Sequence, residues 1–108
     1  MRAALLVAAV LAASACKKSH EEAVAATKEA CGVLLASSSP AASCDTIGDL
    51  TMDVAKPFQD VSNEKELAPA DDEYITRCMD EIAEHHDRCK DNRSYKRAME
   101  RLMFAVVQ

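Results

Sequence analysis

His85 and His86 sit four and three residues before Cys89, and Glu81 lies one turn before His85. On a helix, residues three and four apart share a face, so either imidazole can stand beside that sulfur. Imidazole and thiolate together suit Zn or Cu, and Met79, Met99 and Met103 would add soft thioethers for Cu(I). With His20 as a further imidazole, these residues define a metal-binding reading of the chain. The plainer reading makes His85 a helix residue beside cross-linked cysteines and His86 a surface residue. An oxidised cysteine offers no thiolate, so the redox state of the cysteines decides how strong such a site can be.

The chain holds five cysteines. The first of them, Cys16, ends the run Ala12-Ala13-Ser14-Ala15-Cys16 and is followed by Lys17-Lys18. Before it, Arg2 precedes an unbroken small and apolar stretch from Ala3 to Ala13. That stretch is shorter than the roughly 20 residues a membrane span needs. It has the form of a secretory signal's apolar region, with Ala13-Ser14-Ala15 as a small-x-small cleavage site. These residues resemble a bacterial lipoprotein signal, in which the cysteine after the site is acylated and becomes the new amino terminus. Ala13 stands where such signals usually carry Leu. The resemblance implies a signal peptide over 1–15, a lipid such as palmitate on Cys16, a short tether over 16–19 and one helical domain over 20–108. It also implies a cell-envelope location, at the outer membrane or cell surface ahead of the inner membrane. Without acylation, cleavage after Ala15 would release a soluble periplasmic or secreted protein.

Setting Cys16 aside leaves Cys31, Cys44, Cys78 and Cys89, an even number in an exported chain, which reads as two disulfides. A domain of this size buries a modest fraction of its surface and benefits from such staples. Cysteine enzymes need a free, activated thiolate, which this use removes. Cys-x-x-Cys and Cys-x-x-Cys-His, the patterns for thiol exchange and haem attachment, do not occur. Ser37-Ser38-Ser39 reads as helix-end punctuation, and Asn92-Arg93-Ser94 has the form of a glycosylation acceptor. The expectation is a protein without catalysis or cofactor.

The elements that must position these residues are helices. Two glycines, four aromatic side chains and few β-branched runs argue against sheet and against glycine-rich phosphate loops. The fold class is all-α, a small three- to four-helix bundle. Ser19-His20-Glu21-Glu22 has the form of a capping box, and Ala23, Ala26, Ala30, Cys31 and Leu34 follow at helical spacing, giving a helix over 20–36. Ser39-Pro40 is expected to open a second helix, with Pro at its first position; Cys44, Ile47, Leu50 and Val54 lie along it, and it ends near Lys56-Pro57. Residues 57–70 read as a loop. Pro69 with Asp71, Asp72 and Glu73 opens a third helix, on which Ile75, Cys78, Ile82, His85 and Cys89 form one narrow face. Asp91-Asn92-Arg93-Ser94 is expected to break it, with Ser94 capping a last helix whose apolar positions are Tyr95, Met99, Leu102, Met103 and Val106. One long helix over 70–107 is the other possibility.

Cys78 and Cys89 on one helix stand about 16 Å apart, beyond the ~7 Å limit for bridged Cα atoms. That leaves Cys31–Cys78 with Cys44–Cys89, or Cys31–Cys89 with Cys44–Cys78. An up-down-up arrangement favours the first.

Charge is segregated. From Asp45 to Asp87 there are 13 acidic and 3 basic residues, whereas Arg88 to Arg101 holds 6 basic and 2 acidic ones. The overall acidity argues against nucleic acid as a partner. The last helix is basic and amphipathic; it can lie on a membrane or fill a partner's groove, but in a domain this poor in large apolar residues its expected role is to close the core. These readings converge on a non-catalytic structural or interaction module of the cell envelope with an unknown protein partner. The alternative is an envelope Zn or Cu binder using His85 and His86.

Overall fold

The computed structural model describes residues 19–62 and 64–107. The expected signal segment, Cys16 and Lys17-Lys18 lie outside the described residues. Five helices occur among those described: α1 (His20–Ser37), α2 (Cys44–Phe58), α3 (Pro69–Glu84), the single turn α4 (His86–Cys89) and α5 (Arg93–Val107). No strand occurs among them.

Ser19 caps α1 as its sequence predicts. Its hydroxyl accepts from the Glu22 backbone N–H at 3.2 Å and donates to the Glu22 carboxylate at 3.1 Å. The helix runs through Ser37, one residue past the expected end. Its buried side is Ala23, Val24, Thr27, Cys31 and Leu34, so Val24 and Thr27 lie deeper than Ala26 and Ala30, which are half-buried. Buried Thr27 satisfies its hydroxyl on the Ala23 carbonyl at 2.7 Å, and Thr51 does the same on Ile47 in α2.

The start of α2 differs from expectation. Ser39 and Pro40 do not open the helix; they form a turn in which the Ala42 N–H donates to the Ser39 carbonyl at 3.1 Å. Pro is favoured at the second position of such a turn, where its fixed φ is already correct. Ser43 is the cap instead, accepting from the Thr46 N–H at 3.1 Å. Cys44 therefore occupies the first helical residue. The helix also continues through Pro57, which falls in its last turn, to Phe58.

α3 begins at Pro69 as predicted. All five positions of its expected face are buried: Ile75, Cys78, Ile82, His85 and Cys89. The helix tightens at His85, whose N–H donates to the Ile82 carbonyl at 3.1 Å, before resuming as α4. The segment 70–107 is therefore interrupted twice. Asn92, not Ser94, caps α5, because its side-chain oxygen accepts from the Tyr95 N–H at 3.0 Å. Its amide nitrogen meanwhile donates to Asp45 at 3.0 Å, which pins the start of α5 to the start of α2. The buried side of α5 is Tyr95, Ala98, Leu102 and Ala105. Met99 is half-buried and Met103 exposed, so the core stripe is rotated away from the expected methionines; the side chain of Val106 is outside those described.

Two disulfides join these helices, Cys31–Cys78 and Cys44–Cys89, with Cα–Cα distances of 5.6 and 5.3 Å. The first ties α1 to α3 and the second α2 to α4, which is the expected pairing. Cys31–Cys78, together with Lys28–Asp71 at 2.6 Å and Ser38–Glu81 at 2.7 Å, sets α3 parallel to α1. Asn92–Asp45 and Arg101–Gln59 likewise set α5 parallel to α2. With α1 and α2 antiparallel, the four long helices run up, down, up and down. α2 packs most extensively on α5 and on α1, and α1 on α3. At the lower end the Ser62 N–H donates to His20 Nδ1 at 2.8 Å, and Lys65 lies 3.7 Å from Glu21. Backbone hydrogen bonding in the first turn of α1, and then Lys65, hold the Glu21 carboxyl below its usual range.

Small residues set the helix spacing. A Cβ on Gly48 would lie 2.6 Å from the Tyr95 nitrogen and 2.7 Å from the Ser94 carbonyl carbon, both backbone atoms that cannot rotate aside. A Cβ on Gly32 would meet only the Tyr74 hydroxyl at 3.1 Å, the far end of a side chain. Alanine gains up to about 1 kcal/mol over glycine in a helix interior, while overpacking costs about 1–3 kcal/mol. Gly48→Ala should therefore lower thermal stability, and Gly32→Ala should leave it unchanged or raised, as followed by helical circular dichroism. Stabilisation by Gly48→Ala would contradict the α2–α5 approach.

Candidate functional site

The residues whose chemistry the sequence singles out gather at the upper end, where α1 ends, α2 begins and α3 gives way to α4. His85 is buried there. Its Nε2 lies 2.6 Å from the Ser38 hydroxyl, its Nδ1 lies 2.8 Å from an Arg88 guanidinium nitrogen, and Glu81 accepts from Ser38 at 2.7 Å. Arg88 also donates to the Ala42 carbonyl at 2.8 Å and reaches the Cys44 sulfur at 3.6 Å. The cluster thus clasps the α1–α2 turn against the α3–α4 joint, beside the Cys44–Cys89 bridge.

A serine hydroxyl at this distance from an imidazole has the spacing of a nucleophile and its base. The direction of the protons decides otherwise. Guanidinium nitrogens only donate, so His85 Nδ1 accepts from Arg88, and the neutral ring carries its proton on Nε2. That N–H donates to Ser38, whose own proton goes to the Glu81 carboxylate. A general base needs a free Nε2 lone pair facing the hydroxyl, which a carboxylate at Nδ1 would provide. Here an arginine occupies that position, and the chain of hydrogen bonds runs the opposite way.

His86 faces elsewhere. It is exposed, with Nδ1 3.3 Å from the Tyr95 hydroxyl, which donates to the Ile82 carbonyl at 3.4 Å. The two histidines, adjacent in sequence, are therefore engaged by different partners, and His20 sits with Ser62 in the loop after α2. Among the described residues no group of three or more His, Cys, Asp or Glu side chains is placed to hold a metal ion. The cysteines that would supply thiolates are joined as disulfides.

The sequence signals for this cluster were partial. Glu81, His85 and Arg88 stand at helical spacings of four and three, so their proximity is legible. Ser38, read as punctuation, contributes through a contact 47 residues away in sequence, for which no local pattern exists.

Outside the cluster, a shallow groove of about 390 Å³ runs along α5, with Tyr95, Met99 and Met103 forming much of its wall and Lys90 and Lys96 at its edge. Among the described residues no helix is long and apolar enough to cross a membrane. Comparison with known proteins finds no family model, curated protein or solved structure that matches the chain.

Two measurements follow from this chemistry. Long-range proton–nitrogen spectra at alkaline pH should show His85 with the proton on Nε2; the Nδ1–H tautomer would contradict the direction assigned to the cluster. Burial raises the Tyr95 phenol above its ordinary 10.0. The folded state therefore keeps that proton longer than the unfolded chain, and the associated stability is intact below about pH 10 and declines as pH rises towards the folded value. Tyr95→Phe should flatten that alkaline decline in urea-unfolding measurements; an unchanged slope would assign it to other groups.

Proposed function

We propose that the protein is an exported lipoprotein, acylated on Cys16, that acts without catalysis as a structural or protein-interaction module of a bacterial cell envelope. The observation that carries this reading is the pairing of Cys31 with Cys78 and Cys44 with Cys89. Disulfides form and persist in oxidising compartments, which suits an exported chain. They also account for four of the five cysteines. The remaining one follows Ala13-Ser14-Ala15, where a lipoprotein signal carries its acylated residue.

The non-catalytic part of the reading rests on the upper cluster. Its groups are spent on joining helix ends: the serine donates to the Glu81 carboxylate and accepts from His85 Nε2, so the imidazole has no lone pair directed at the hydroxyl. The charge, acidic along Asp45–Asp87 and basic along Arg88–Arg101, gives an envelope protein two oppositely charged stretches to recognise.

Cells expressing the wild-type chain should incorporate labelled palmitate into it and retain it in the membrane fraction. Cys16→Ser should abolish labelling and move the protein to the soluble fraction. Unlabelled wild-type protein, or equal membrane retention of both chains, would overturn the anchoring.

A further inference from the structure

We infer that the outer face of the C-terminal half of α5 is a contact surface for an anionic lipid bilayer. The inference rests on the acylation of Cys16 proposed above and adds a second, protein-borne contact to it.

Among the described side chains of α5, Met103 and Phe104 are the large apolar ones left in solvent, 57% and 61% exposed. They are not isolated from the helix's charge. Arg101 and Arg97 stand three and seven residues before Phe104, and Lys96 stands seven before Met103, spacings that put them on the same outer side. All three cations are exposed. Among the described residues none of them is ion-paired with a carboxylate. Glu100, the one acidic residue of α5, shares this face three residues before Met103 and four before Phe104, and the three cations outweigh it. Apolar side chains at one end of a basic helical face match the acyl boundary and anionic headgroups of a bilayer.

The position of this face in the bundle selects the occupant. Arg101 donates to Gln59, just past the end of α2, at 3.1 Å, while Ser62 and Lys65 of the following loop reach His20 and Glu21 at the start of α1. The tip of α5 and the entry to α1 therefore share the lower end. Cys16 lies three residues before Ser19, a reach of about 10 Å. An acyl group on Cys16 holds that same end at the membrane, with Lys17 and Lys18 beside it. A second copy of the chain is a poorer occupant, because an isologous pair through this face would gather Lys96, Arg97 and Arg101 of both copies into one interface.

The sequence contains no tryptophan, so a single introduced indole reports its own surroundings. The test uses full chains carrying Cys16→Ser, which have no acyl group, with either Phe104→Trp or Val33→Trp. Val33 is 52% exposed near the opposite end of α1. Each is mixed with vesicles of phosphatidylcholine alone or of phosphatidylcholine and phosphatidylglycerol in equal parts, with and without brominated acyl chains. The expected result is a blue shift and bromine quenching at position 104 on anionic vesicles only, with position 33 unaffected. Adding Arg97→Glu and Arg101→Glu should weaken that response about tenfold or more. No response at 104, equal responses at 104 and 33, insensitivity to the two arginines, or a vesicle-independent shift that grows with protein concentration, the mark of self-association, overturns the inference. Because these chains are not acylated, the result is separate from palmitate labelling of the wild type, which decides the anchoring on its own.

Discussion

Two covalent cross-links hold this bundle in one arrangement. α1 and α2 are neighbours joined by a short turn and find each other easily. α3 is separated from them by the loop after Phe58 and buries only Ile75, Cys78 and Ile82, Tyr95 of α5 lying against its end through the Ile82 carbonyl. The bridges span 47 and 45 residues of sequence. In the chain-entropy account each removes about 4 kcal/mol of unfolded-state freedom. Against a total stability of about 5–15 kcal/mol for a small domain, the cross-links decide whether the fold persists. They support an interior in which alanine, threonine and cysteine make up about half of the buried residues, and α2 and α5 approach closely where Gly48 meets the backbone of Ser94 and Tyr95.

The polar cluster at the upper end depends on the same constraint. Cys44–Cys89 brings α4 to the start of α2, and so places Arg88 where it reaches both the Ala42 carbonyl and His85. His85 stands at the tightened joint between α3 and α4, with its ring within hydrogen-bonding distance of Ser38. Buried polar groups in this corner are satisfied by one another, and their directionality follows from the single group that cannot accept, the guanidinium. What resembles a nucleophile and its base in distance alone is a clasp once the protons are followed.

Much of the helical layout was legible in the sequence because its signals are local. The Ser19 box, Pro69 and the regular spacing from Ile75 to Cys89 each act within a turn or two. The disulfide pairing was legible in part: helical rise forbids a bridge within α3–α4 and leaves two pairings, of which the up-down-up order of the helices favours the one observed. Other features were hidden by competition between equivalent local signals: Ser39 and Ser43 both suit a cap, as do Asn92 and Ser94, and tertiary partners such as Asp45 decide between them. The face of α5 was misjudged as well. Hydrophobicity points to Met99 and Met103 beside Tyr95 and Leu102, whereas the buried side takes Tyr95, Ala98, Leu102 and Ala105 and leaves Met99 half-buried and Met103 exposed. Ser38 had no local signal at all, since its partners lie in α3 and beyond.

With Cys31, Cys44, Cys78 and Cys89 joined in pairs, Cys16 is the cysteine left for the proposed acyl group. Peptide mapping by mass spectrometry, on protein taken from membranes and digested without reduction, reads this directly. The predicted result is one fragment pair linking Cys31 to Cys78, one linking Cys44 to Cys89, and Cys16 in an acylated peptide outside both. A Cys31–Cys89 link, free thiols among the four, or Cys16 in a disulfide would contradict it.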